Sequence, residues 1–359
     1  MSKPLIPGAA TSARELQHRE AHRGRGLPPP LANRGALFLF AASCSFALAA
    51  CGPARSTATT TPKPATEAKY GGPWTAPLRA DHPLVGRIWS PAKKTFLDAQ
   101  AFEDEAFAAR FVLLGEKHDA PDHHRLQKAV IESLVKRGRK PSVVFEMLDV
   151  DEQPRLDAAR AAKDPEQAAF TPGWDWPLYK PIVTYAFDVG LPVFAGNYPK
   201  AKIKASFHGT PIAEEDLHAL GVDLPFPAEA TASLEQELVD SHCGHLPKGH
   251  VGGFVTAQRL RDGQLAERMV ATATDGGAVL VAGGGHARND RGVPWVLAQL
   301  PKSKGQKVFS IGFVEVQTGM NEPDAYKALY SHAGAASLPF DAVWFTPALD
   351  DEDPCAGMK

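Results

Sequence analysis

Phe111-Val-Leu-Leu-Gly-Glu-Lys-His-Asp119 is the stretch on which the fold turns. Four apolar residues run without interruption into Gly115, and then into a carboxylate, an amine, an imidazole and a second carboxylate. A strand with one wet face alternates apolar and polar residues, whereas an unbroken run marks a strand covered on both faces, as in parallel sheets. The pattern recurs along the chain. Ser142–Phe145 runs into Glu146-Met147, Leu191–Ala195 into Gly196-Asn197-Tyr198, and Ala278–Ala282 into Gly283-Gly-Gly-His286-Ala-Arg288. Val308–Val316 is a fifth apolar run. Between the runs lie helical patterns: His123–Gly138 carries Leu126, Val130 and Leu134 on one stripe and stops at Gly138. Leu178–Val189 carries Leu178, Ile182, Val183, Ala186 and Phe187. This alternation predicts an α/β fold, a mostly parallel sheet with helices on both faces. The 82 residues between Ala195 and Ala278 are too many for one crossover helix. They predict an inserted smaller helical subdomain at about 205–275.

Ligands of open parallel sheets bind beyond the carboxyl ends of the strands. That rule gathers Glu116, His118, Glu146 and His286 into one crevice, with Asn197 beside them and His123 on the following helix. Helix capping by Glu116 and hydrogen-bonded core histidines are the structural alternatives. Two chemistries suit such a set. Glu116, His118 and His286 could hold a divalent metal, or Glu116, His118, Glu146 and His286 could move protons in hydrolysis. Neither H-E-x-x-H nor G-x-S-x-G occurs, and Gly283–Gly285 does not complete G-x-G-x-x-G. A second cluster, Asp240-Ser-His242-Cys243-Gly-His245 with His250, could bind metal or haem, or form a solvated loop. Cys243 could instead pair with Cys355 in an oxidising compartment.

The 359 residues carry 39 Lys/Arg against 41 Asp/Glu, unevenly spread. Residues 1–50 hold six basic residues against two Glu, leaving 33 basic against 39 acidic in the remainder. A mildly acidic body predicts no nucleic-acid partner, since phosphate neutralisation needs a basic face. Four Cys without a C-x-x-C pair exclude a disulfide-stapled miniprotein and a paired zinc motif, and the absence of C-x-x-C-H excludes c-type haem attachment. Residues 36–50 are an uncharged apolar run, shorter than the about 20 residues a bilayer span needs. They have the form of a signal-peptide core, and residues 1–50 read as a signal peptide with a long n-region. The run closes on Leu48-Ala49-Ala50-Cys51, which resembles the lipobox of bacterial lipoproteins. That resemblance implies cleavage before Cys51 and its lipidation, with Gly52 pointing to the periplasmic side of an outer membrane. Residues 51–70, rich in Pro, Thr and Ala, read as a tether to an α/β domain at 71–359.

Several blocks in order resemble the ChaN-like family of haem-binding lipoproteins, within the wider superfamily of Tiki proteases and erythromycin esterases. They are Leu114-Gly-Glu-Lys-His-Asp with His123-His124, Val144-Phe-Glu-Met with Gln153, and Trp176 with Tyr179. Glu237-Leu-Val-Asp-Ser-His-Cys-Gly, Ala257-Gln-Arg-Leu-Arg-Asp262 and Gly283-Gly-Gly-His-Ala-Arg-Asn-Asp-Arg-Gly-Val-Pro294 follow. Lys117 stands where the family commonly has a small residue. The resemblance implies haem binding, a homodimer and a role in haem or iron acquisition. It also implies tyrosine ligation of the iron, for which Tyr198 and then Tyr179 are the candidates, with Arg288 and His242 as further haem contacts and Trp174 and Trp176 as walls. The alternative it implies is a hydrolase of esterase or peptidase type using Glu116, His118, Glu146 and His286.

Overall fold

The computed structural model describes Tyr70 and residues 72–170, 173–330, 337–353 and 355–356. The expected signal peptide, Cys51 and the tether up to residue 69 lie outside them. Tyr70 itself is buried, its ring 5.0 Å from that of Trp344 and its hydroxyl donating to Glu103, so it belongs to the domain and not to the tether.

Eight strands form one sheet: β1 (Ile88–Ser90), β2 (Thr95–Leu97), β3 (Phe111–Glu116), β4 (Ser142–Asp149), β5 (Val193–Asn197), β6 (Ala278–Gly283), β7 (Val308–Glu315) and β8 (Ala342–Thr346). Their order is β2-β1-β8-β7-β3-β6-β4-β5. The six strands from β8 to β5 are parallel, and β1 and β2 add an antiparallel edge. The α/β fold with a mostly parallel sheet is therefore as expected. Every residue of β3 and β6 is buried, which is why these strands read as continuous apolar runs. β8, with the sequence AVWFT, has the same character but is not among the five runs read from sequence. β1 and β2 are three residues each, too short to show a period. The fifth expected strand ends at Glu315, and the third runs Val193–Asn197 instead of Leu191–Ala195, because Pro192 precedes the pairing.

The helices cover both faces. On one side lie α1 (Ala99–Ala108), α2 (Pro121–Lys136), α3 (Gln153–Ala162) and α4 (Trp176–Asp188), around a core that includes Val112, Leu114, Phe145, Leu126, Val130 and Tyr179. α2 starts at Pro121, whose missing N–H is free of cost in a first turn. Between β5 and β6 the chain forms α5 (Lys200–Phe207), α6 (Glu214–Ala219), α7 (Ala228–Ser241) and the long α8 (Val251–Thr272). The first part of α8 packs Ala257 and Leu260 against Tyr198, Ile203 and Leu220 in a small core of its own. Its second part turns Leu265, Ala266 and Met269 onto the other face of the sheet, beside Leu113, Val144 and Leu280. The helical insert thus ends in the crossover helix that returns to the sheet. α9 (Val293–Gln299) completes that face.

β6 enters between β3 and β4, which precede it in the chain, so the strand order reverses there. A crevice at the carboxyl ends of β3, β6 and β4 is the consequence. The backbone turns sharply at its floor, where Gly115 faces Gly284 and Ala287. A Cβ on Gly115 would lie 2.7 Å from the Ala287 Cβ and 3.2 Å from the Ile311 carbonyl oxygen. Gly115→Ala is expected to lower the free energy of unfolding by about 1–3 kcal/mol through overpacking. Urea unfolding followed by circular dichroism checks this, and an unchanged midpoint would contradict it.

Candidate functional site

Glu116 is the last residue of β3 and Gly283 the last of β6, paired side by side, and Glu146 lies on β4 beyond them. Side chains alternate faces along a strand. Glu116 shares the parity of Val112 and Leu114 and enters the α2/α4 side; Glu146 shares that of Val144 and enters the α8 side. Two charged groups form, one on each face, and they meet over Gly283. A Cβ at this position would lie 2.9 Å from the His118 Nε2 and 3.5 Å from the Glu146 Oε2. Only glycine permits that approach.

The first group centres on Glu116. Its Oε1 accepts from the Tyr179 hydroxyl at 2.7 Å and faces the His118 Nδ1 at 3.0 Å; its Oε2 lies 3.0 Å from the His124 Nδ1. The His124 Nε2 donates to the His118 carbonyl, which orients that ring. Burial alone would raise the Glu116 carboxyl; the charges and hydrogen bonds of His124 and His118 outweigh it and hold the carboxyl low. Burial works against protonation of both imidazoles, and the carboxylates overcome it, so His118 and His124 titrate higher than usual. The Tyr179 hydroxyl, buried beside the Glu116 charge, keeps its proton. His118 is the opening of this group, with 44% of its side chain exposed and its ring edge-on to Trp174 at 4.8 Å.

The second group centres on His286. Its Nδ1 lies 2.7 Å from the Asp262 Oδ1 and its Nε2 3.2 Å from the Glu146 Oε1. Burial opposes its charge, but the two carboxylates push the imidazole up to about 10. The Glu146 Oε2 accepts the Gly283 N–H at 2.7 Å, and this bond with the His286 charge holds the carboxyl low against its burial. The Gln258 amide lies 3.2 Å from the His286 Nδ1.

Glu116, His118, Glu146 and His286 therefore meet at one rim. The divalent metal expected at Glu116, His118 and His286 is not supported. Among the described residues no group of three or more His, Cys, Asp or Glu is arranged to hold a metal ion. The reason is local: both nitrogens of His286 face carboxylates, and the Glu116 oxygens face His118, His124 and Tyr179 from the other side of the sheet.

His123 is a brace beside the crevice. Its Nδ1 accepts the Lys117 N–H at 2.9 Å and its Nε2 meets the Thr346 hydroxyl at 2.9 Å, tying α2 to β3 and β8. Asn197 is buried at the end of β5, its Oδ1 without a hydrogen bond. Three residues of the site escape the sequence reading as participants. His124 sits on the buried stripe with Gln127, Ile131 and Leu134, and Asp262 on that with Leu265, Ala266 and Met269, so a polar residue on an apolar stripe is the signal for both. Gln258, one turn before Asp262, gives no such signal.

Of the residues expected as haem ligands or polar contacts, Tyr179 lies in the crevice, and Tyr198, Arg288 and His242 are engaged with other partners. The Tyr179 oxygen is enclosed in the crevice. The Tyr198 hydroxyl donates to Asp216 at 2.6 Å, and burial with that carboxylate raises its pKa. The Arg288 guanidinium is buried, donating to Asp290, Glu237, Ser233 and the Tyr330 carbonyl. His242 ends α7, its Nδ1 donating to the Leu238 carbonyl at 2.7 Å and its ring 5.0 Å from Phe254. The neighbouring Cys243 forms a disulfide with Cys355.

The polar groups of the crevice are committed to one another: Glu116, Glu146 and Asp262 are each paired with imidazole, and the Tyr179 hydroxyl is bound to Glu116.

The family described as haem-binding uptake, Tiki superfamily, ChaN matches residues 102–297, more than half of the chain, and the chain belongs to it. Among solved structures, the chain is similar to ChaN of Campylobacter jejuni with cofacially bound haem, at 20% identity and a TM-score of 0.56 over 72% of this chain and 95% of that one. A mutant of the erythromycin esterase EreC in its open conformation matches at 14% identity and a TM-score of 0.42, over 74% of this chain and 98% of that one. The type III effector HopBA1 matches at 14% identity and a TM-score of 0.34, over 69% and 92%. No curated protein matches the chain.

Burial pushes the His123 imidazole down to about 3, while an unfolded imidazole titrates near about 6.5. Between those values the unfolded chain takes a proton that the folded chain refuses, so His123 makes stability fall as the pH drops through this window. The stability lost between pH 7 and pH 5 should be smaller by about 2 kcal/mol in His123→Gln than in the parent chain. Urea titrations at the two pH values measure it, and equal losses would contradict it.

Proposed function

We propose that this protein binds haem as a lipid-anchored homodimer on the periplasmic side of a bacterial outer membrane, and that it serves haem or iron acquisition. Membership of a haem-binding uptake family across residues 102–297 carries the reading. Leu48-Ala49-Ala50-Cys51 supports the anchor. Acyl chains on one cysteine supply the two-signal attachment that stable anchoring needs. The Cys243–Cys355 disulfide suits an oxidising compartment. Among the described residues no helix is long and apolar enough to cross a membrane.

The crevice favours hydrolysis of an ester or amide as a second activity. Its observation is the pair of carboxylate–imidazole groups meeting over Gly283, with His118 at the opening. Haem ligation has no use for buried carboxylates there. A carboxylate of the pair takes a proton from an attacking water, and the charged His118 gives one to the leaving group.

Hemin titrated into the purified full-length protein should produce a saturable Soret shift, unchanged in Glu116→Gln and His286→Ala. A spectrum identical to free hemin would refute haem binding. Any hydrolysis of an ester and peptide panel should disappear in the same two variants; equal rates in variants and parent would remove the second activity. Cys51→Ser should move the protein from the membrane to the soluble fraction of the cells, and its retention in the membrane would contradict lipidation.

A further inference from the structure

Asn197 and Asp149 hold polar atoms that the proton chemistry of the crevice does not use. Asn197 is 1% exposed, and its Oδ1 has no hydrogen-bond partner among the described residues. The Asp149 Oδ1 is likewise buried and unpartnered, while its Oδ2 accepts the Lys200 N–H at 2.8 Å. The two residues stand opposite each other at the ends of β4 and β5. Between the Phe145–Ala195 pair and this one, β4 advances four residues and β5 two, an irregularity of the kind that re-aims side chains beside active sites. A buried acceptor without a donor costs the folded chain free energy that an apolar side chain of the same shape would not. The cost is recovered where a ligand supplies the donor.

The face of the sheet is settled by the preceding residue. A Cβ on Gly196 would lie 2.6 Å from the Val144 Cγ1 and 2.8 Å from the Leu265 Cδ2, so Gly196 faces α8. Asn197 is therefore on the opposite face with Val193 and Ala195, the face that Glu116 enters. Trp174 joins the two places. Its ring is 4.8 Å from that of His118 at the opening of the crevice, and the Lys200 Nζ lies 5.3 Å from its centre. Lys200 opens α5, three residues after Asn197, and is bound through its N–H to Asp149. From His118 the contacts thus run through Trp174 and Lys200 to Asp149, the strand partner of Asn197.

Unpartnered acceptors, an ammonium and a flat indole are together the complement of one group, a secondary amide, which brings an N–H, a carbonyl and a plane. We infer that Asn197 determines specificity in hydrolysis, its Oδ1 accepting the N–H of an amide that flanks the scissile bond. Lys200 is directed toward the carbonyl of that amide and Trp174 lies against its plane. The substrate class is an ester or amide carrying a second amide beside the bond that breaks, as in an N-acylated amino acid derivative. A plain aliphatic ester brings no donor for either oxygen, and an amine would meet the like charge of Lys200. The assignment rests on the hydrolytic second activity proposed above and is independent of haem.

The test uses the full-length protein and the 4-nitrophenyl esters of N-acetylglycine, of N-acetylsarcosine, in which a methyl replaces the amide hydrogen, and of pentanoic acid. Water cleaves each to its acid and 4-nitrophenol, so the reacting bond is the same throughout. The parent should favour the N-acetylglycine ester over the N-acetylsarcosine ester by about tenfold or more in kcat/KM, and Asn197→Leu should bring that ratio to about one. Trp174→Leu should lower kcat/KM for both amide-bearing esters relative to the pentanoate. The urea midpoint of Asn197→Leu should equal or exceed that of the parent, because an unpaired buried acceptor is removed. A parent no faster than Glu116→Gln on any of the esters defeats hydrolysis itself, and the assignment with it. A parent that cleaves them without regard to the N–H, or a ratio retained in Asn197→Leu, overturns only the assignment. A lowered midpoint with the ratio retained shows Asn197 holding a buried water only and overturns it too. Should Asn197→Leu not fold, an unaltered ratio of amide-bearing to pentanoate rates in Trp174→Leu overturns it.

Discussion

Two carboxylates buried at the ends of neighbouring strands set the terms for this domain. Glu116 and Glu146 are each about 5% exposed, and removing such a charge from water costs several kcal/mol unless it is paired. Each is paired with imidazole, Glu116 with His118 and His124, Glu146 with His286. These pairings restrict the helices that supply the partners. α2 must bring His124 against β3, and α8 must bring Asp262 to the far side of His286. The glycine between the groups is equally constrained, because the His118 ring occupies the space a side chain would need. Packing and charge balance at the rim are thus one problem with one solution.

The rim and the helical insert are built from different material. The rim is a set of balanced carboxylate–imidazole pairs rich in exchangeable protons, which suits proton transfer. The insert has its own small core around Tyr198 and Leu260, and past that core an imidazole and two phenyl rings near a lysine-bearing helix.

Much of this was legible in the residues. Unbroken apolar runs such as Phe111–Leu114 announce strands buried on both faces, and the polar residues at their ends locate the rim, because the parallel arrangement places all those ends together. The limits are equally physical. Sequence cannot show that Glu116 and Glu146 enter opposite faces, since that depends on register and on the irregular pairing of β4 beyond Phe145. It cannot show that each imidazole is already engaged, which is what turns an apparent metal-ligand set into paired charges. Tyr179 reads equally as wall, ligand or core; only the contact with Glu116 decides. The pairing of Cys243 with Cys355 stayed open for the same reason, a separation of 112 residues along the chain.

That separation matters for endurance. The bridge closes a covalent ring that contains β6, β7 and β8, three of the six parallel strands. In the chain-entropy view, a ring of this size withholds from the denatured chain conformational freedom worth roughly 4–5 kcal/mol, against a typical net stability of about 5–15 kcal/mol for a domain. The same polypeptide is accordingly two materials: durable where sulfur is kept oxidised, and markedly softer in the presence of a strong thiol reductant.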